Sequence, residues 1–216
     1  MSDILVRTNR VSRTYGALVA VDGISCQVSS GQRIVITGPS GSGKSTLLHL
    51  LAGLETPSSG SIEWPGVGAR EQLRPRAVAT IFQGPSLLPP LTVIENVALP
   101  LLLDGADEGS AAAAAAAALA SLGIEDLAGK MPEELSGGQA QRVAVARVLA
   151  GAPRLVFADE PTGQLDHPTA AKMLDVLDDA VSAVGATLVL TTHDRRVAER
   201  YSTKWSMADG RLHGVD

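Results

Sequence analysis

Residues 38–46 read GPSGSGKST and fit the pattern G-x-x-x-x-G-K-[ST]. They follow the apolar run GQRIVIT (31–37) and precede KSTLLHLLAGL (44–54), which places them between a strand and a helix, the setting the pattern requires. Glycines at 38, 41 and 43 let the backbone close around phosphate oxygens. Lys44 is expected to reach the β- and γ-phosphates of a nucleotide, and the Ser45 hydroxyl to ligate Mg²⁺. Gly38, Ser40, Gly41, Gly43, Lys44, Ser45 and Thr46 form the expected nucleotide-binding set. Farther along, LVFADE (155–160) is an apolar strand pattern ending in two carboxylates. Asp159 suits a magnesium shell, and Glu160, one step beyond, suits a general base acting on water. The run LVLTTH ends in His193, expected at the same sheet edge and within hydrogen-bonding reach of a γ-phosphate.

A second glycine-rich helix start lies at ELSGGQAQR (134–142). The first N–H groups of a helix have no intrahelical partner, so this too is a ready anion site. The chain therefore has two phosphate-type sites, and the second needs a reason.

The elements that must position these residues follow from periodicity and punctuation. Short strands are expected at ILVRT and GISCQV, with a turn near Tyr15 and Gly16, followed by the strand–loop–helix unit already described. Strands are expected around SIEW and at AVATIF (77–82). From 84 to 153 prolines 85, 89, 90 and 100 punctuate a connection and helix-forming sequence then dominates. The eight alanines 111–118 favour helix without an amphipathic stripe, which predicts a tolerant surface helix with no chemistry. After 153 come a strand (154–159), a helix (167–183), a strand (186–192), a helix near 194–201 and two closing strands, KWSMAD and RLHGV. The expectation is one α/β core, mostly parallel, interrupted by a helical insertion.

Composition narrows the function classes. Apolar residues make up 45% and charged residues 19%, an ordinary globular balance in a chain of 216 residues. A net charge of −5 argues against a general nucleic-acid binder. The single cysteine, Cys26, excludes an intrachain disulfide, and its apolar setting reads as a buried thiol. The N-terminal residues lack a signal pattern, which predicts a cytosolic protein. The most apolar stretch, 87–103, is broken by three prolines and by Glu95-Asn96, so no membrane span is expected.

In this order, the phosphate loop, LSGGQ, LVFADEP and His193 resemble the ATPase subunit of an ATP-binding cassette (ABC) transporter over nearly the whole chain. The resemblance implies a P-loop NTPase fold: an α/β, RecA-like, mostly parallel sheet with a small antiparallel β part, plus a helical subdomain. A single domain, 1–216, would have its catalytic core at 1–83 and 154–216 and its helical part at about 84–153. ATP and Mg²⁺ are the implied cofactors. Tyr15 falls where the family stacks an aromatic on adenine. Gln83 matches the glutamine loop, which touches the magnesium and the attacking water and leads to the membrane partner. Asp166, in GQLD, matches the D-loop. Two subunits of this family pair head to tail in the ATP-bound state, each ATP lying between the phosphate loop of one and the LSGGQ of the other. Ser136, Gly137, Gly138 and Gln139 would then serve the neighbour's γ-phosphate, which makes the two anion sites halves of one.

The branch it most resembles contains lipoprotein-releasing, macrolide-exporting and cell-division ATPases, on the strength of EPTGQLD, LLPPLTVIENVALPLLL and a chain that stops soon after His193. It departs from that branch at Gln164, where asparagine is usual, in an abbreviated 61–77 and in the alanine run. The resemblance implies a separate transmembrane permease, a place on the inner face of the cell membrane through that permease, and no nucleic-acid partner. Residues 84–103 would receive the permease, with Leu87, Leu88 and Leu91 either contacts or core. The alternatives are an amino-acid-type importer ATPase, a regulatory ATPase that controls a membrane partner without moving cargo, and a soluble nucleic-acid-linked cassette.

Overall fold

The chain opens with a run of strands, passes through a run of helices and returns to alternating strands and helices, and the computed structural model arranges them as two sheets with helices between and around them. It describes residues 3–84, 86–163 and 165–214 and, at position 76, the backbone alone; Pro85 and Gln164 thus lie outside the described residues. The first sheet is antiparallel. Strand β1 (Ile4–Tyr15) pairs with β2 (Leu18–Ile24), β3 (Gln27–Ser29) and β5 (Ser59–Glu63). The second has the order β10-β9-β4-β8-β7-β6. Strands β9 (Thr203–Ala208), β4 (Arg33–Thr37), β8 (Thr187–Thr192), β7 (Leu155–Asp159) and β6 (Val78–Ile81) run parallel, and β10 (Arg211–His213) closes one edge antiparallel.

The central strands read as unbroken apolar runs because both sheet faces are covered. Alternate residues divide between two cores. Ile34, Ile36, Leu155, Phe157 and Val189 join Leu47, Leu48 and Leu51 of helix α1 (Lys44–Leu51) beneath the antiparallel sheet. Val35, Val156, Ala158, Leu188 and Leu190 face the other way, toward α2 (Val93–Leu103), α3 (Glu108–Ser121), α4 (Gly137–Ala150) and α5 (His167–Ala183). Helix α6 (Arg195–Glu199) leads into β9. Among the described residues no helix is long and apolar enough to cross a membrane.

Two expectations need correction. GISCQV is not one strand: β2 ends at Ile24 and β3 begins at Gln27. The jog is pinned from β1 by Thr8, whose Oγ1 accepts the Cys26 N–H at 2.8 Å, a long-range bond that local periodicity cannot announce. The Cys26 thiol is buried, and desolvation pushes it up to about 11. The alanine helix is also not merely a surface element. Ala111, Ala115, Ala118 and Leu119 form a buried stripe against the core, with Ala112, Ala113, Ala116 and Ala117 outside. Hydropathy is blind to this stripe because the buried and exposed faces carry the same side chain, yet that small side chain is what lets α3 approach its neighbours.

If the stripe is a packed interface, Ala115→Leu overpacks it and costs about 1–3 kcal/mol. Ala116→Leu, one position along on the exposed face, should change stability by less than about 0.5 kcal/mol. Urea unfolding of the two variants beside the parent measures the difference; equal losses would contradict the buried stripe.

Candidate functional site

The phosphate-type loop turns between the end of β4 and the start of α1. Gly43, the residue before α1, has φ +97°, and a Cβ there would overlap the carbonyl of Ala20 on β2. A Cβ on Gly38 would likewise overlap the carbonyl of Met207 on β9. The loop is therefore clamped between two strands, and its conformation belongs to the scaffold. Gly41 (φ +80°) differs: nothing lies within 4 Å of where its Cβ would stand, so its backbone faces open space. No side chain caps α1, which leaves its first N–H groups for another acceptor.

Lys44 is 4% exposed at its side chain, and its ammonium donates to the carbonyls of Gly38 (2.9 Å) and Pro39 (3.0 Å). It also stands 3.6 Å from Glu160 Oε1. Ser45 Oγ donates to Asp159 Oδ1 at 2.9 Å. The parallel register sets Asp159 beside Thr191, whose hydroxyl donates to the same oxygen at 2.6 Å. Thr191 also takes the Glu160 N–H, on Oγ1 at 3.0 Å and on its carbonyl at 3.2 Å. This holds Glu160 at φ +43°, a left-handed conformation that non-glycine residues avoid and that clusters at functional sites.

The Glu160 carboxylate is shared: Oε2 lies 2.8 Å from His193 Nδ1. Gln83 arrives from the end of β6, and its Nε2 lies 3.4 Å, and Glu160 Oε2 3.3 Å, from where a Cβ on Gly163 would sit. Lys44, Ser45, Gln83, Asp159, Glu160 and His193 are thus brought together at the carboxyl ends of β4, β6, β7 and β8, the edge where open α/β sheets bind ligands.

Other predicted residues stand apart from this cluster. Ser136 caps α4, its Oγ accepting the Gln139 N–H at 3.3 Å while Gln139 Oε1 accepts the Ser136 N–H at 2.9 Å. Ser136, Gly137, Gly138 and Gln139 line a separate groove of about 700 Å³ together with Arg142 and Asp166. Asp166 itself caps α5, accepting the N–H and hydroxyl of Thr169 at 3.0 and 2.9 Å, bonds that hold its carboxyl below the usual range. Tyr15, 43% exposed, ends β1, with the Arg13 guanidinium 4.7 Å from its ring centre on one face and Glu55 gripping Arg13 at 2.8 Å. Leu87 packs on the core, Leu91 is half-buried, and Leu88 is exposed.

The sequence reading missed Thr191, Gly163, Ser42, His49 and Arg13. Thr191 left one signal, the pair of buried threonines, Thr191 and Thr192, that ends the apolar run of β8 just before His193. Two buried atoms test whether an anion and a cation fit here: Ser42 Oγ has no hydrogen-bond partner in the loop, and His49 Nε2 has none beside Asp159 Oδ2, 3.7 Å away. Ser45 Oγ and Asp159 offer hard oxygens. Among the described residues no three His, Cys, Asp or Glu side chains come together to cage a metal. The donor set therefore fits a Mg²⁺ that draws its other oxygens from phosphates and water.

Comparison with known proteins agrees with this geometry. The family described as ABC transporter matches residues 21–163. The lipoprotein-releasing system ATP-binding proteins LolD of Legionella pneumophila, strains Paris and Lens, are each 38% identical over 224 aligned positions, covering 99% of this chain and 99% of the relative. Among solved structures, the dimeric structure of MJ0796, a bacterial ABC transporter cassette, superposes with a TM-score of 0.85 at 32% identity over 98% of this chain and 99% of that one. A dimeric post-hydrolysis state of the same cassette, bound to ADP and Pi, gives 0.85 at 31% over the same shares. cbiO1 from Clostridium perfringens, part of the ABC transporter complex cbiONQ, gives 0.85 at 29% over 98% and 87%.

The two loop glycines separate in their expected effects. Gly41→Ala meets only the left-handed penalty, about 1–2 kcal/mol. Gly43→Ala meets that penalty and the overlap with Ala20, for a loss of roughly 3 kcal/mol or more. Denaturant unfolding of both variants measures this, and equal losses would show that the clamp between β2 and β9 does not fix position 43.

Proposed function

Because this chain belongs to the ABC transporter family, we propose that it is the engine subunit of a membrane complex, binding Mg-ATP at the Lys44 cluster and hydrolysing it in a head-to-tail pair. The observation carrying this reading is a separation within one chain. The base, lysine and carboxylates gather at one edge of the parallel sheet, while the Ser136 helix start lines another groove with Asp166. A second subunit turned end to end supplies what each site lacks.

In this reading the backbone of residues 38–43 and Lys44 bind the phosphates, and Tyr15 receives the adenine on the face that Arg13 leaves open. Ser45 and Asp159, with Gln83, would hold Mg²⁺, which supplies charge neutralisation on the phosphates. Glu160 accepts the proton of the attacking water, and His193, bonded to its Oε2, fixes the direction in which that carboxylate points. The partner's Ser136 helix start completes the cage around the γ-phosphate, adding roughly half a positive charge.

We assign residues 1–83 and 154–216 to the catalytic core and about 84–153 to the helical part that meets the permease. Exposed Leu88 and the loop around it form the contact. Likeness to the lipoprotein-releasing ATPases supports a permease of the lipoprotein-releasing or macrolide-exporting kind, and a location on the inner face of the membrane through that permease.

Light scattering on Glu160→Gln with and without Mg-ATP tests the composite site. The expected result is a doubling of mass on ATP addition, with turnover reduced roughly 10²-fold or more. Ser136→Arg in that background should bind ATP as a monomer and not pair. A Ser136→Arg/Glu160→Gln protein that still pairs, or a Ser136→Arg single variant that hydrolyses ATP normally, would sink the head-to-tail reading.

A further inference from the structure

Arg147 lies on α4, whose first residues present the Ser136 groove. Among the described residues no carboxylate pairs with it, and burial alone pulls its guanidinium below the ordinary arginine range. A desolvated guanidinium without a counter-charge is costly unless its donors are satisfied. Among the described residues both of its hydrogen bonds go to one residue: Nη1 donates to the Ser86 carbonyl at 3.0 Å and Nη2 to Ser86 Oγ at 2.9 Å. Ser86 sits at φ +43°, so the two-pronged grip holds a backbone conformation that serine seldom adopts.

Ser86 is three residues beyond Gln83, whose side chain stands with Glu160 around Gly163. The rest of this loop is fastened from α2, where fully buried Asn96 takes the Leu88 N–H at 2.7 Å and donates to the carbonyls of Leu88 and Leu91 at 3.1 and 2.9 Å. Gln83 thus reaches into the catalytic cluster while the segment behind it is tied to the helices. Arg147 is the tie that runs to the helix bearing the second anion site. Arg147 and Gly137 are ten residues apart on one rigid helix, about 15 Å along its axis, so play at the arginine becomes displacement at Ser136.

We propose that Arg147 is a positioning residue: its grip on Ser86 locks the Gln83 loop to α4, so that the place Gln83 takes beside Glu160 in one subunit sets where the Ser136 helix start stands toward the partner's nucleotide. This rests on the composite-site reading above. A dimer contains the link twice, so its loss is felt twice in pairing, while the subunit's own phosphate loop, clamped by β2 and β9, is untouched.

The test compares Arg147→Met, Arg147→Lys, Ser86→Ala and the Arg147→Met/Ser86→Ala double variant, all in Glu160→Gln. Two quantities are read: ATP affinity of dilute monomer by displacement of a fluorescent nucleotide, and the dimer dissociation constant in Mg-ATP by sedimentation. Monomer affinity should stay within about twofold, while Arg147→Met raises the dimer dissociation constant about tenfold or more, the scale of a lost charged hydrogen bond. Arg147→Lys and Ser86→Ala should fall between, and the double variant should be no worse than Arg147→Met. An unchanged dimer constant, simple additivity, or a parallel fall in monomer affinity overturns the proposal. If Arg147→Met does not fold, Ser86→Ala on the exposed loop decides, and no change in its dimer constant is then a refutation. Failure of the Glu160→Gln parent itself to pair would instead sink the composite-site reading, and this proposal with it.

Discussion

The hydroxyl of Thr191 takes the Glu160 N–H at 3.0 Å and gives its own hydrogen to Asp159 at 2.6 Å, so one side chain sets both acidic residues. It can do so because the parallel register of β7 on β8 places Thr191 beside Asp159, where β7 ends. Without that tie the turn after Asp159 would relax from the left-handed conformation of Glu160. The carboxylate would then no longer face Lys44 on one side and His193 on the other. The rest of the site depends on this edge. β4 delivers the loop and α1, β6 delivers Gln83, and β8 continues into His193, all from strands whose spacing the sheet has already fixed.

Charge is balanced locally in this arrangement. The Lys44 ammonium is almost wholly out of water and is satisfied by two carbonyls and the Glu160 carboxylate. In the proposed function, phosphate oxygens entering the loop would compete with Glu160 for that ammonium. Glu160 would then keep its bond to His193, which would hold its orientation as the ion pair weakens. Binding and activation of the proposed base would thus be one rearrangement, driven by substitution of one anion for another around a buried cation.

Much of this was legible in the residues because local chemistry demanded it. The phosphate loop needs glycine where the backbone bends against β2 and β9, and the acidic pair needs a strand end. The central parallel strands needed unbroken apolar runs, and their order in the sequence alternated with helices as α/β folds require. What stayed hidden was set by distant partners or by small side chains. Thr8 splits one apparent strand into β2 and β3 from across the sheet. The α3 stripe is written in alanine on both faces, so its buried side has no contrast. Thr191, Gly163 and Arg13 act through register, close approach and a ring face, none of which a spacing pattern encodes.

The second glycine-rich helix start shows how local satisfaction and assembly fit together. Ser136 and Gln139 cap each other through their acceptor oxygens, so the two side chains brace the helix start with atoms that an anion would not use. Their bonds fix the first turn of α4 in place and leave recognition to the Ser136 hydroxyl and Gln139 amide hydrogens, the remaining backbone N–H groups and the helix dipole, which are directional only if the helix itself is aimed. Aim is a property of the whole of α4, and α4 is aimed by its packing against α2, α3 and α5 and by its hold on Ser86. A half-site built on a helix start is therefore as accurate as the rigid element behind it, and its strength in the proposed pair would be decided by packing many ångströms from the phosphate it would bind.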